Sequence, residues 1–252
     1  MSGHSKWASI KHKKAATDAK KGKVFTRIIR ELTMAAKAGG GDPAGNASLR
    51  KAIEDAKGAN MPQDNIKKAI QRGTGELPGV IYEECTYEGY GPGGVAIIVE
   101  TTTENKNRTS NEIRKIFSQH GGNMGEGGCV GWMFKKKGLI EVPKKNYKEE
   151  ELMDIALEAG ASDIASDDEE IYEITTEPAA FAEVKKNLDD KKVSYTFAEV
   201  TLIPQTYIKL SGREAEQMMA IVDGMEEHDD VKTVHSNVDI SKEEMERISN
   251  LE

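Results

Sequence analysis

Cysteine is almost missing from this 252-residue chain. The two present, Cys85 and Cys129, stand far apart, and neither belongs to a Cys-x-x-Cys pair. That excludes a zinc ribbon, a dithiol redox motif and a disulfide framework, and a reduced, cytosolic setting is expected. Long apolar runs are missing too: no stretch approaches the ~18 residues that a membrane span needs. The basic start, MSGHSKWASIKHKKA, is not followed by an apolar segment, so no secretory signal is expected. A transit peptide shares such a composition, but here a helical pattern follows directly. Aromatic residues are few at 6%, yet 37% hydrophobic residues suffice for a core in one large or two to three small domains, which excludes wholesale disorder.

Acidic residues are scarce in one place only. The formal net charge of −8 is an average over two unlike regions. Residues 1–75 carry 16 Lys/Arg against 6 Asp/Glu, a net of +10, and residues 76–252 carry 19 against 37, a net of −18. Such a split points to a basic module that meets a polyanion and an acidic body that does not. The bland alternative is a solvated basic face with no partner.

Hydrophobic spacing sketches the organisation. Phe25, Ile28, Ile29, Leu32 and Ala36 recur at helical period before Gly39-Gly40-Gly41. Leu49, Ala52, Ile53 and Ala56 form a second helical set ending near Gly58. Pro62 suits the first position of a third helix containing Ile66, Ala69 and Ile70, closed by Gly73. Three short amphipathic helices can share a stripe as a bundle over residues 1–75. Beyond a linker at Gly73–Gly79, the period changes. Tyr82–Tyr87 and Val95–Val99 read as strands, residues 106–120 as a helix, and Val130–Phe134 as a strand. From Lys135 the order is β-α-β-β-α-β, a ferredoxin-like unit over 135–203, with a helix from Pro178 and a last strand from Val193 to Ile203. Strand Tyr207–Leu210, helix 212–226 and strand Val231–Ile240 resume the earlier style. The expected fold is α+β: an N-terminal three-helix bundle, a middle α+β domain (76–134 and 204–252), and an inserted ferredoxin-like α+β domain. One long mixed sheet is the alternative. The tail from Ser241 reads as a frayed helix.

The candidate binding residues lie in the basic region. Residues 1–30 hold Lys6, Lys11, Lys13, Lys14, Lys20, Lys21, Lys23, Arg27 and Arg30 against the single acid Asp18, with Trp7, His4 and His12 interleaved. Cations neutralise phosphates and release counterions, and a planar side chain stacks on a base. Lys20, Lys23, Arg27 and Arg30 fall in one helical arc, opposite the apolar one. The turn Asn60-Met61-Pro62 is a second candidate contact, for irregular RNA or a partner.

Other motifs carry less. Gly89-Tyr90-Gly91-Pro92-Gly93-Gly94 has the letters of a dinucleotide loop, but a strand follows it where a helix is required, so it reads as a hairpin turn. Gly121–Gly128 reads as a tight connection. The five histidines show no metal-ligand spacing. The acid runs 167–170 and 226–230 could hold a cation but lack the glycine and spacing of a calcium loop, so they read as solvated loops, with the alternative that they keep the body off nucleic acid. No catalytic constellation, cofactor site, metal site or small-molecule substrate emerges.

Several stretches also resemble a known family. Gly3-His4-Ser5-Lys6-Trp7 with Ile10-Lys11-His12-Lys13-Lys14, Asn60-Met61-Pro62 with Asn65-Ile66 and Arg72-Gly73, Tyr87 to Gly94, and Asn107-Arg108-Thr109 together resemble the YebC/PmpR family, in order along essentially the whole chain. The resemblance implies a cytoplasmic, three-domain, non-enzymatic protein. It implies a DNA-binding transcriptional regulator. The alternative, from related members that include a mitochondrial translational activator, is a ribosome-associated translation factor on rRNA or tRNA that relieves stalling on proline-rich nascent chains. An enzyme or small-ligand sensor is the remaining, weaker reading.

Overall fold

The structure, a computed structural model, describes residues 18–166, 168 and 170–250, with side chains from Gly22 onward. Three helices come first: α1 (Asp18–Gly39), α2 (Ala47–Gly58) and α3 (Gln63–Gly73). Ile28, Leu32, Ala36, Leu49, Ala52, Ala56, Ile66 and Ala69 are the apolar arcs of these helices, and they close into one buried cluster. Asn46 caps α2 by accepting from the Leu49 amide at 3.0 Å. Gly73 is needed where α3 crosses α1, because a Cβ there would lie 2.4 Å from the Thr33 carbonyl oxygen. Pro62 sits one position earlier than expected. Its ψ of 137° is extended, so it caps α3 rather than beginning it.

The middle unit is an antiparallel sheet in the order β3-β1-β2-β9, built from β1 (Glu83–Tyr90), β2 (Ala96–Thr103), β3 (Asn123–Met124) and β9 (Val231–Ser236). Helices α4 (Lys106–Gln119) and α7 (Gly212–Glu226) cover one face with Ile113, Phe117, Met218, Ile221 and Val222. Val130 and Phe134 cover the other face against Ala96 and Ile98. Strand β2 is therefore buried on both sides, which is why Val95–Val99 is continuously apolar rather than alternating. Gly93, at φ +65°, forms the turn between β1 and β2, as the hairpin reading requires.

The inserted unit runs β4 (Phe134–Pro143), α5 (Glu149–Glu158), β5 (Asp163–Ala165), β6 (Ile171–Thr176), α6 (Phe181–Asp190) and β7 (Phe197–Pro204). Its sheet order, β5-β6-β4-β7 with every pairing antiparallel, is the ferredoxin-like arrangement. Both helices pack on one face, around Ile140, Val142, Leu152, Ile174, Val184 and Leu188. The other face carries Glu141 opposite Glu173, and Glu199, which Lys51 of α2 reaches at 2.6 Å. The chain enters this unit at Phe134 and leaves it at Pro204, residues that face each other across β4 and β7. A short parallel pair, β8 (Ile208–Lys209) with β10 (Val238–Asp239), and α8 (Lys242–Ser249) complete the fold.

Further expectations need correction, among them the helix expected from Pro178, which begins only at Phe181. Residues 131–133 form a single 3₁₀ turn, not strand, and β4 starts only at Phe134. The Val231–Ile240 strand breaks at Asn237, whose side chain accepts from the buried Ala96 amide at 2.7 Å. Strand β7 starts at Phe197 because Lys192, at φ +59°, turns the chain first, while Val193 drops into the core. The tail helix α8 is anchored rather than frayed: Ser241 caps it, and Met245 and Ile248 are buried in the middle core.

Candidate nucleic-acid interface

Lys6, Trp7, Lys11, His12, Lys13 and Lys14 lie outside the described residues. Lys20 and Lys21 lie in the first turn of α1, and their side chains are not described. The remaining stripe residues are engaged within the chain. Lys23 Nζ donates to the Glu227 carbonyl at 3.1 Å, Arg27 to that of Glu226 at 3.3 Å, and Arg30 to that of Asp229. Helix α7 ends at Glu226, where its last carbonyls lack intrahelical partners and carry partial negative charge. Three cations at helical spacing on α1 match that end.

Asp230 anchors the contact. Its carboxylate meets Arg30 at 3.0 Å and Arg108 at 2.8 Å, and it accepts from Thr109 Oγ1 at 2.6 Å and Thr103 Oγ1 at 3.0 Å. Burial pushes its carboxyl up, but the bonds from Thr109, Arg108 and Thr103 and the Arg30 charge outweigh burial and hold it below the usual range. Arg30 is itself withdrawn, with a side chain 11% exposed and 5.7 Å from the Tyr82 ring centre. The reading of 226–230 as a solvated loop is thus corrected, since Asp230 is 2% exposed. Sequence reasoning missed this anchor because its partners lie 121 to 127 positions away in Thr109, Arg108 and Thr103. The one usable signal was the Asn107-Arg108-Thr109 motif, two of whose members hold Asp230.

Glu112, His228 and Asp230 bring ligand-type atoms within 4.8 Å of one another. Their contacts are with protein donors: His228 Nε2 meets Glu112, and the Asp230 carboxylate meets Arg30, Arg108, Thr103 and Thr109. His228 Nδ1 accepts the Asp230 amide at 3.1 Å, which puts the ring proton on Nε2, 2.8 Å from Glu112.

The turn between α2 and α3 is the more open surface. Asn60 (φ +58°) and Pro62 are exposed, whereas Met61 is 4% exposed and packs in the helical core. Met61, a candidate contact in that turn, is thus corrected to a core residue packed in the helical cluster. Lys57 precedes the turn, and Lys67, Lys68 and Arg72 follow it on α3. All four are exposed, and none forms an ion pair with an acid among the described residues. Sequence reasoning passed them over because they stand singly or in pairs rather than in a run.

The glycine-rich connection is held by Glu88, whose carboxylate accepts from the amides of Gly128, Val130 and Gly131, each at 2.8 Å. Burial pushes this carboxyl up, and the three amides outweigh it and bring it below the usual range. Glu88→Ala is expected to speed hydrogen exchange at those three amides by at least about tenfold, since each then lacks a charge-assisted bond worth about 1.5–3 kcal/mol. Unchanged protection in an NMR exchange series would contradict the clamp. Burial also pushes the neighbouring Cys129 thiol up, the opposite of what a nucleophile needs.

Comparison with known proteins agrees over both parts of the chain. A family model described as "TACO1/YebC protein N-terminal domain" matches residues 5–76, and one described as "TACO1/YebC second and third domain" matches residues 82–238. A protein of Endomicrobium trichonymphae named "Probable transcriptional regulatory protein" is 60% identical over 250 residues, covering 99% of this chain and 100% of that one. A similarly named protein of Geobacter sulfurreducens is 57% identical over 248 residues, covering 98% and 100%. The crystal structure of a conserved hypothetical protein, Aq1575 from Aquifex aeolicus, superposes with a TM-score of 0.78 at 45% identity, covering 89% of this chain and 92% of that one. Among the described residues no helix is long and apolar enough to cross a membrane.

Proposed function

Because this chain belongs to the TACO1/YebC family, we propose that it is a cytoplasmic, non-enzymatic regulator of gene expression that works by binding nucleic acid. Residues 1–75 are the contacting module in this reading, 76–134 with 204–252 the body, and 135–203 the inserted unit. The supporting observation is the exposed cation group Lys57, Lys67, Lys68 and Arg72 on a module of net charge +10, against a body of −18. Lys6, Trp7 and the Lys11, His12, Lys13, Lys14 run would add phosphate and stacking contacts. The relatives' names favour transcription and hence DNA.

One observation favours the second reading, a translation factor on ribosomal or transfer RNA. The open cations surround a turn, and the cationic face of the longest basic helix, α1, is docked at Lys23, Arg27 and Arg30. A major-groove reader presents a helix, whereas irregular RNA is met by turns and arms. Lys57→Glu with Lys67→Glu and Lys68→Glu is expected to lower the slope of log affinity against log salt by about 2, at roughly 0.7–0.9 for each phosphate no longer neutralised. A filter-binding titration with an unchanged slope would remove these lysines from the interface. Sedimentation of a lysate at low and high salt separates the two targets. Salt-sensitive co-migration with ribosomal particles supports translation. Its absence, with recovery of particular promoter fragments after crosslinking, supports transcription.

A further inference from the structure

The side chain of Trp132 stands 69% exposed on an otherwise well-braced segment, which is an unusual placement for the largest apolar residue. Its indole N–H donates to the Cys129 carbonyl at 3.1 Å, and Tyr90 Oη donates to the same oxygen at 3.0 Å. Its own carbonyl accepts from Gln205 Nε2 at 2.8 Å. The connection behind it is fixed on Glu88 by three amides. The one polar atom of the ring is therefore satisfied internally, and what faces solvent is the flat apolar surface. A ring held in place loses little rotamer freedom when something stacks on it.

The surroundings select the partner. Lys135 and Lys136 follow within four positions. Both are exposed, and neither forms a salt bridge among the described residues. Gln205, Thr206 and Tyr207 are the exposed residues of the returning strand's exit. Protein interfaces share its aromatic residues but are depleted in lysine, whereas this segment runs into two exposed lysines. Planar rings on a segment that leads into two lysines match a base and neighbouring phosphates.

We propose that Trp132, with Tyr90 beside it and the exposed Lys135 and Lys136 at the start of the strand it leads into, is a stacking site for a base of single-stranded nucleic acid, at the junction of the middle and inserted units. This rests on the nucleic-acid reading above but uses none of residues 1–75. It gives a bound strand a second hold on the acidic body.

The test uses the full chain and a labelled single-stranded 12-mer of uridine or thymidine, read by anisotropy. Trp132→Ala is expected to weaken binding about tenfold, and Trp132→Phe, which keeps a flat ring, to stay within about threefold. Lys135→Glu with Lys136→Glu should weaken binding and flatten its salt dependence, without touching the ring or its carbonyl partner. In the Trp7→Phe chain Trp132 is the sole indole, and its fluorescence should be quenched saturably by the 12-mer. If the 12-mer binds with a normal salt slope but Trp132 is neither quenched nor needed, the stacking site is wrong while the contacting module stands. If no oligonucleotide binds the unaltered chain, both readings fall. Quenching by a proline-rich peptide and not by the 12-mer would overturn the proposal in favour of a protein partner.

Discussion

Asp230→Ala should destabilise the protein by about 3 kcal/mol and release the three N-terminal helices from the body. The substitution leaves the Arg30 guanidinium, 11% exposed, without its counter-charge. Removing one partner of a buried pair costs about 3–5 kcal/mol. The lower end applies because Arg30 keeps the Asp229 carbonyl and the Tyr82 ring, and because the second pair, Arg108, is 41% exposed. Release should show as faster proteolysis in the linker after α3, alongside the loss of thermal stability. The Asp230 carboxyl is held below its unfolded value, so its contribution is present above about pH 4 and is lost as pH falls through the depressed folded value. The variant should lack that acid-side loss. An Asp230→Ala chain that melts and is cleaved like the parent would mean the helices are held by something else.

Glu141→Gln should do the opposite and stabilise the protein at pH 8 by about 1–3 kcal/mol. Glu141 is 8% exposed on the helix-free face of the inserted sheet, directly across from Glu173. Burial, and then the Glu173 charge, push its carboxyl up to about 7. Between the unfolded value near 4.5 and about 7, the folded chain keeps a proton that the unfolded chain releases. Stability must therefore fall as pH rises through that window, by at most about 3.5 kcal/mol at roughly 1.4 kcal/mol per unit. Glutamine keeps the shape without the charge. Urea midpoints at pH 5 and pH 8 should converge in the variant and diverge in the parent. Equal pH dependence in both would assign the effect elsewhere.

Much of the fold was legible because its rules are local. Helix 212–226 follows from spacing alone, and β2 from its apolar run between turn residues. The inserted unit follows from the order of its elements. What was illegible depends on distant partners. Residues 131–133 look like a strand until Glu88, more than forty positions earlier, gathers the amides of the glycine loop. The polar tail looks frayed until Met245 and Ile248 find the middle core. The site divides in the same way. Charge placement made the basic module visible, but nothing local says that Lys23, Arg27 and Arg30 face the end of α7, or that the anchor is Asp230. Trp132 had no local mark either, because exposure is not a property of a dipeptide.

The narrow entrance at Phe134 and Pro204 bears on how the chain folds. Pairing β2 with β9 in the middle sheet closes a loop over residues 104–230, of which 134–204, about 70 residues, form the inserted unit. For a flexible segment of that length, closure costs about 4 kcal/mol, from (3/2)RT ln n. A folded insert already holds its two ends side by side in the β4–β7 ladder, so the middle unit inherits a closed loop. The inserted unit thus acts as a covalent staple of the body whatever it binds, and it has to fold first to do so.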